Sequence, residues 1–193
     1  MDTLDKSKYY NLFDVVLYKT LLATGCRIGE VLALEWSDID LDNGYISINK
    51  TLNRDDEVNC PKSKAGYRDI SIDKATILML KHYKNRQTIQ AWQHKRTETV
   101  VFSTFVNKYA SQPALRRRLE RHLKNAGVSY VAFHGLRHTH ATIMLNAGIQ
   151  PKDLQYRLGH SNISMTLNTY VHVTKEGAKN SASFFESAIN SLG

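Results

Sequence analysis

Polar side chains that can hold a phosphate recur along one segment near the end of the chain. The segment contains the runs FHGLRHTHAT and RLGHSNISMTLNTYVH. His134, Arg137 and His160 supply two imidazoles and a guanidinium, and Tyr170 closes the segment. No carboxylate cluster or set of metal ligands accompanies them in the sequence. The pattern predicts phosphoryl transfer through a protein nucleophile, without a metal ion.

Further upstream, an arginine and two lysines are candidates for the same chemistry. Arg27 stands at a predicted helix start, in TGCRIGEVLAL, where the helix dipole prefers an anion. Either pairing with Glu30 or a phosphate bound between the guanidinium and the helix N–H groups would account for it. Lys62 and Lys64 lie in CPKSKAGYR, near the tip of a predicted hairpin. Each is either a solvated turn residue or, over bound DNA, a proton donor to a leaving oxygen.

Each motif of the segment also has an ordinary structural interpretation. HxxR is often a surface hydrogen-bonding pair, the histidine of LGH resembles a helix cap, and a tyrosine at a helix end is usually half-buried packing. His138 and His140 invite comparison with a zinc site, but their spacing is unsuitable and no thiolate or carboxylate joins them. Only the joint pattern therefore favours a functional site.

The charge of the chain points to a polyanionic partner. Its 193 residues include 26 Lys and Arg against 18 Asp and Glu, which gives a net charge of +8. Nucleic acid is the simplest such partner, although many soluble domains are equally basic. One cluster consists of Arg116, Arg117, Arg118 and Arg121. It is either a solvated helix face or a contact to the DNA backbone, which would position DNA without reading its sequence.

The composition is that of a globular domain in a reducing compartment. Hydrophobic residues make up 42% of the chain, enough for a substantial core. Cys26 and Cys60 are the two cysteines, with no CxxC pair or disulfide framework, so a cytoplasmic location is expected. The N-terminus lacks the apolar region of a signal peptide, and no apolar run approaches 18 residues, so no membrane span is expected.

Hydrophobic periodicity predicts a mainly helical α+β domain with a small antiparallel sheet. Helices are predicted over residues 8–23, 28–34, 73 to about 86 or as far as 95, 114–126, 136–147, 151–158, 161 to about 170, and in the tail at 176–192. Strands are predicted over residues 45–49, over 57–62 and 67–72 as a hairpin around Ala65-Gly66, and over 100–102.

Taken together, the motifs resemble the catalytic domain of tyrosine recombinases, specifically phage and conjugative-transposon integrases. The resemblance runs through TGCRIGEVLALEWSDID, PKSKAGYRDISI, HGLRHTHAT and LGHSNISMTLNTYVHV, which span nearly the whole chain. The ordered set Arg, Lys, HxxR, LGH, Tyr is far more specific than any of its parts. The tyrosine stands 10 residues beyond the LGH histidine (170 − 160). The resemblance implies the catalytic-core fold of that family, with a three-stranded antiparallel sheet.

The resemblance also implies a role for each residue. Arg27 and Arg137 would clamp the non-bridging oxygens of the scissile phosphate, and His160 would hydrogen-bond to it. Tyr170 would attack phosphorus and form a 3′-phosphotyrosyl link, releasing a 5′-hydroxyl. His134 would accept the proton or position the phosphate. Because the ordinary pKa of tyrosine is near 10, this attack needs a base or a strongly positive setting.

The general acid for the 5′-oxygen would be a lysine of the predicted hairpin. Lys62 is preferred to Lys64 because the family's lysine is usually followed by a small or hydroxyl residue, and Ser63 follows Lys62. Lys64 and the arginine cluster would then contact DNA. The resemblance implies no metal and no cofactor.

The implied function is site-specific recombination, the integration or excision of a phage or mobile element. Residues 1–175 would form the catalytic domain and residues 176–193 a tail helix docking in cis or on a neighbouring protomer. The family's core-binding and arm-binding domains are not found in this sequence. The expected partner is a double-stranded DNA core site, bound as a homotetramer and free as a monomer, with accessory bending or directionality factors. The alternatives are an inactive DNA-binding module and a type IB topoisomerase-like activity.

Overall fold

The structure is a computed structural model, and it describes residues 8–104 and 107–166. Its helices are α1 (Tyr9–Thr24), α2 (Ile28–Leu32), α3 (Lys74–Gln93), α4 (Gln112–Asn125), α5 (Phe133–Asn146) and α6 (Pro151–Leu158). Its strands are β1 (Ile39–Asp40), β2 (Tyr45–Ile48), β3 (Thr51–Leu52), β4 (Val58–Asn59) and β5 (Arg68–Ser71). Short 3-10 turns occupy Trp36–Asp38 and Lys64–Gly66.

The main sheet has three antiparallel strands in the order β1-β2-β5. Ile46 of β2 is opposite Ile70 of β5, and both are buried, as is Ile48. Side chains alternate across a strand, so these isoleucines face the core together. The predicted α+β class with a three-stranded antiparallel sheet is confirmed.

The predicted hairpin of residues 57–62 with 67–72 is wrong. β4 pairs instead with β3, with Val58 opposite Leu52, while β5 pairs with β2. The side-chain carbonyl of Asn53 accepts hydrogen bonds from the backbone N–H groups of Asp55 and Glu57, which closes the β3–β4 turn. Alternation within a strand predicts its buried face but not its partner.

The helices match their predicted positions to within a few residues. Asp73 caps α3 by accepting a hydrogen bond from the N–H of Thr76, as its position before the helix predicts. α5 begins at residue 133 rather than 136. The predicted strand at residues 100–102 is buried, but it makes a single bridge, between Glu35 and Val100. Residues 164–166 are helical, and the predicted tail helix lies outside the described residues.

Helix α1 runs through the centre of the domain, against α3 on one side and α5 on the other. It is buried almost throughout, and Phe13 and Leu17 are among the largest fully buried side chains. A second, smaller apolar cluster joins α5 to α6 through Leu145, Leu154 and Leu158. This packing places the C-terminal end of α1 next to both α5 and α6. Within residues 8–104 and 107–166, no helix is long and apolar enough to cross a membrane.

Candidate active site

Arg137 is a buried arginine on α5 that joins the ends of two other helices. Its guanidinium donates hydrogen bonds to the backbone carbonyls of Gly25, at 2.8 Å, and Leu158, at 2.7 Å. Those carbonyls lie at the C-terminal ends of α1 and α6, where a cation is favoured by the helix dipole. Burial and the charge of Arg27 lower the pKa of Arg137 to about 10, so it remains charged at neutral pH.

A pocket of about 110 Å³ opens beside this guanidinium. One water molecule in the liquid occupies about 30 Å³, so the pocket has room for a phosphate group. It is lined by His134, Arg137, His138, Ala141, Leu158, His160 and Met165. The structure therefore brings together three of the residues that the sequence singled out, from α5 and from the turn after α6.

His160 reaches the pocket from the turn after α6. Gly159 adopts a left-handed conformation, with φ of 66°, and ends the helix. The Nδ1 atom of His160 lies 2.9 Å from the hydroxyl oxygen of Thr166. Burial and the charges of Arg137 and Arg27 lower the pKa of His160 to about 4. The ring is neutral at pH 7, and if Nδ1 accepts from Thr166, its Nε2 proton is available to a phosphate oxygen.

His134 lies one helical turn before Arg137. Its ring meets that of His138 edge-on, with centroids 5.1 Å apart. Burial and then the charges of His138, Arg137 and Arg27 lower the pKa of His134. A neutral imidazole at this position has a free nitrogen that can accept a proton.

Arg27 stands at the start of α2 and does not line this pocket, although its charge acts on three of the residues that do. Its side chain is 45% exposed and its guanidinium pairs with Glu30 at 3.0 Å. The backbone N–H of Arg27 also donates to Glu30, at 2.8 Å. The charge of Arg27 lowers the pKa values of His134, Arg137 and His160. The pairing with Glu30 that the sequence allowed is therefore present, and the arginine still contributes positive charge to the pocket.

Sequence reasoning missed Arg68, which lies on β5 next to the turn that carries His160. Its side chain is fully buried and donates to both carboxylate oxygens of Glu30, at 3.2 and 2.9 Å. Burial would raise the pKa of Glu30, but Arg68 and Arg27 lower it overall, so the carboxylate stays ionised. The available signal was the period of β5, since Arg68 precedes Ile70 and Ile72 at inward-facing positions.

The C-terminal carbonyls of α1 are capped by a histidine from α5 and an arginine from α6. His140 is hydrogen-bonded to the carbonyl of Leu22 at 2.8 Å, and Arg157 donates to that of Ala23 at 2.8 Å. The other ring nitrogen of His140 accepts from Arg157 at 3.0 Å. Burial and the charge of Arg157 lower the pKa of His140 to about 4. Both nitrogens are therefore occupied, which leaves His140 unable to bind a metal without breaking the cap.

The profile of the family described as the phage integrase family matches residues 1–177. The chain belongs to the phage integrase family. A tyrosine recombinase XerC-like protein from Caldanaerobacter subterraneus subsp. tengcongensis is 32% identical over 175 residues, covering 81% of this chain and 45% of the relative. The transposase from transposon Tn916 of Enterococcus faecalis is 33% identical over 187 residues, covering 88% of this chain and 44% of the relative. The chain thus spans about half the length of these relatives.

Solved structures share the fold of this integrase-family chain. The Tn1549 transposon integrase in complex with a circular intermediate DNA superimposes with a TM-score of 0.71 at 24% identity, covering 94% of this chain and 65% of the other. XerH bound to difH substrate superimposes with a TM-score of 0.69 at 22% identity, covering 95% and 50%. The catalytic-core fold expected from the sequence is therefore confirmed.

The two candidate lysines, Lys62 and Lys64, lie in residues 60–67, named the lysine loop below. Lys62 and Lys64 are exposed. The loop rests against the turn that carries His160, because a Cβ atom placed on Gly159 would lie 3.0 Å from the carbonyl oxygen of Ala65. The structure thus brings the backbone of the lysine loop close to the pocket.

The arginine cluster of this integrase-family chain divides between two sides of α4. Arg116 and Arg117 line a groove of about 940 Å³ that extends to His134. Arg116 also donates to the hydroxyl of Tyr130, at 3.1 Å. On the other side of the helix, Arg118 forms an ion pair with the buried Asp14 at 2.8 Å.

The remaining arginine, Arg121, is exposed, and its charge acts on Tyr18 of α1. It therefore lies towards α1, on the same side of α4 as the pair between Arg118 and Asp14. Tyr170, the nucleophile implied by the sequence, lies outside the described residues.

Proposed function

We propose that this chain is the catalytic domain of a tyrosine-type site-specific recombinase that integrates or excises a phage or other mobile element. The observation that carries the proposal is the phosphate-sized pocket into which Arg137, His134 and His160 project, within the field of Arg27. Relatives named as a tyrosine recombinase and a transposase support it. Residues 1–175 form the proposed catalytic domain, and the partner is a double-stranded DNA core site.

In the proposed reaction, Arg27 and Arg137 hold the non-bridging oxygens of the scissile phosphate. Their charges stabilise the transition state, a role that metal ions fill in other enzymes. The hydroxyl oxygen of Tyr170 bonds to phosphorus as its proton passes to His134. The bond from phosphorus to the 5′-oxygen breaks, and Lys62 gives that oxygen a proton. The 3′-phosphotyrosyl link keeps the phosphodiester energy, so a second 5′-hydroxyl rejoins the strand by the reverse steps.

DNA in this proposal passes along the groove beside α4. Arg116 and Arg117 contact its phosphates there, because they line a groove that leads directly to His134. We leave Arg118 out of the DNA contacts, since its guanidinium is held by a buried carboxylate. The recombining assembly is a homotetramer on DNA, in which the tail from residue 176 onwards docks in cis or on a neighbouring protomer.

The decisive experiment traps the covalent intermediate. A pool of duplexes with randomised cores and a nick beside the cleavage position is incubated with the protein, and adducts are recovered on denaturing gels. The wild type is expected to form an adduct in EDTA, and Tyr170→Phe is expected to form none. An adduct that requires magnesium contradicts the metal-free mechanism.

Two other outcomes separate the alternative functions. Binding of DNA without any adduct would favour an inactive DNA-binding module. An adduct accompanied by relaxation of supercoiled plasmid, with no exchange between sites, would favour a type IB topoisomerase-like activity.

A further inference from the structure

Arg68 makes hydrogen bonds to three separate segments of the chain. Its side chain is 0% exposed. Besides Glu30 on α2, it donates to the backbone carbonyl of Arg157 on α6 at 2.8 Å and to that of Gly66 in the lysine loop at 3.0 Å. All of these acceptors lie near an end of a helix or in a loop, and one guanidinium group joins them.

Each of these segments carries one part of the proposed active site. α2 begins directly after Arg27, and Glu30 binds the guanidinium of Arg27 and that of Arg68 at once. α6 leads into His160 three residues beyond its contact with Arg68, since 160 − 157 is three. The lysine loop carries the proposed general acid. The segments that carry Arg27, His160 and the proposed general acid are therefore all bound by the guanidinium of Arg68.

We propose that Arg68 is a positioning residue that holds the lysine loop in register with the phosphate pocket. The proposal rests on the proposed function, because it assigns the loop a part in strand cleavage. Arg68 does not touch the pocket and takes no part in proton transfer. It acts through Gly66 on the loop, through Glu30 on Arg27, and through the carbonyl of Arg157 on the turn that carries His160.

The close packing around Arg68 leaves little room for another arrangement. A Cβ atom on Gly159 would lie 2.7 Å from a terminal nitrogen of Arg68, and one on Gly66 would lie 2.3 Å from Cβ of Pro61. Glycine at position 159 therefore lets the His160 turn approach the guanidinium, and glycine at position 66 lets the lysine loop pack against Pro61. The charge of Arg68 also acts on Arg137 and His160, which places it near the pocket without contacting it.

The residue type fits a positioning role better than a simple charge would. A guanidinium has five N–H donors in a rigid plane and can serve several acceptors in fixed directions. A lysine at the same place keeps the charge for Glu30 but has three donors on one nitrogen. Arg68→Lys therefore tests geometry while leaving the buried carboxylate with a cation.

A matched control comes from another arginine that is paired with a buried carboxylate. Arg118 binds the buried Asp14 at 2.8 Å, on the α1 side of α4. Arg118→Lys makes the same chemical change at a site that touches neither the lysine loop nor the phosphate pocket. Thermal unfolding of both variants is followed by circular dichroism, and the later measurements are made at a temperature at which both are folded.

The first measurement needs no DNA. Trypsin is added to the folded proteins, and cleavage after Lys62 and Lys64 is followed by mass spectrometry. Arg68→Lys is expected to be cut there about tenfold faster than the wild type, because loss of the bond to Gly66 frees the loop. Arg118→Lys is expected to be cut at the wild-type rate. Equal rates in all three folded proteins would overturn the proposed hold on the loop.

The second measurement separates positioning from a general loss of structure. Nicked substrates are compared with an oxygen or a sulfur at the 5′-bridging position, since a sulfur leaving group needs no general acid. Arg68→Lys is expected to cleave the oxygen substrate about 10- to 100-fold more slowly than the wild type. The sulfur substrate is expected to recover most of that loss. Arg118→Lys should show the wild-type ratio between the two substrates.

The results also distinguish this proposal from the proposed function. If the wild type forms no adduct with either substrate, the proposed function fails, and the trypsin comparison still decides whether Arg68 holds the loop. If the wild type cleaves and Arg68→Lys shows the wild-type ratio of sulfur to oxygen cleavage, the positioning role is overturned and the proposed function stands.

Discussion

The guanidinium of Arg137 lies 2.7 Å from the backbone carbonyl oxygen of Leu158, two residues before His160. The same guanidinium binds the carbonyl of Gly25, two residues before Arg27. One buried arginine therefore fixes the backbone next to two other candidate phosphate ligands. Arg137 therefore has both a structural role and a proposed catalytic role. Arg27 is half-exposed, so its role is mainly the proposed catalytic one.

This difference predicts that alanine at either arginine reduces cleavage to a similar extent, but that the two variants lose different amounts of stability. Arg137→Ala should lower the free energy of unfolding by about 2–5 kcal/mol, because two buried carbonyls lose their donor. Arg27→Ala should cost less than about 1 kcal/mol, since its pair with Glu30 is partly exposed. Each should slow cleavage about 100- to 1,000-fold or more. Urea unfolding and adduct formation measure the two effects, and equal losses of stability would contradict the assignment.

The choice of general acid is open to a direct comparison of the two lysines. Lys62→Ala should slow cleavage of an ordinary phosphodiester far more than Lys64→Ala, by about 100-fold or more. A 5′-bridging sulfur should restore cleavage in Lys62→Ala, because its leaving group needs no proton. Rescue confined to Lys64→Ala would show that Lys64 is the general acid.

The histidines predict a stability that falls in mild acid. The pKa values of His140 and His160 are about 4 in the folded chain, against about 6.5 in an unfolded chain. Between those values the unfolded state binds more protons, so stability is complete above about pH 6.5 and is lost as the pH falls towards 4. His160→Gln should reduce the number of protons taken up on unfolding by up to one, which makes the plot of the free energy of unfolding against pH less steep. Urea unfolding from pH 5 to 7 tests this, and an unchanged slope in the variant would refute it.

Two glycines with the same backbone conformation give a matched pair of substitutions. Gly159 and Gly127 both have φ of 66°, but a Cβ on Gly159 would lie 2.7 Å from Arg68, whereas one on Gly127 would meet nothing within 4 Å. Gly127→Ala should therefore cost only the left-handed strain, about 1 kcal/mol. Gly159→Ala should cost at least about 1 kcal/mol more and slow cleavage. Similar unfolding curves for the two variants would contradict the crowding at Gly159.

The groove beside α4 predicts different effects from two neighbouring arginines. Arg117→Ala should weaken DNA binding and make the plot of log affinity against log salt less steep by about one unit, because one phosphate contact is lost. Arg118→Ala should leave that slope unchanged. It should instead lower the free energy of unfolding by about 3 kcal/mol, since it leaves Asp14 with a weaker set of partners. Salt titrations of duplex binding measure the slope for each variant. A shallower slope for Arg118→Ala would show that Arg118 also contacts DNA.

Spacing along the chain was sufficient to predict several features of the fold. The class of the fold and the positions of the helices follow from hydrophobic periodicity along the chain, and the cap of α3 at Asp73 depends on a few consecutive residues. The partner of β5 did not follow, because a strand with one buried face fits several edges equally well. The turn around Asn53 brings β3 and β4 together as a pair, and β5 then pairs with β2.

The sequence by itself determined which residue types are available for phosphate chemistry, since the order Arg, Lys, HxxR, LGH, Tyr is written in it. Only the tertiary structure decided which of them share a pocket and what charge they carry there. His160 is neutral because burial, and then the charges of Arg137 and Arg27 from distant parts of the chain, lower its pKa. The contacts of Arg68 with Glu30 and of Arg118 with Asp14 likewise exist only in the folded chain. Burial and long-range electrostatics depend on packing in three dimensions, and a local pattern does not contain them.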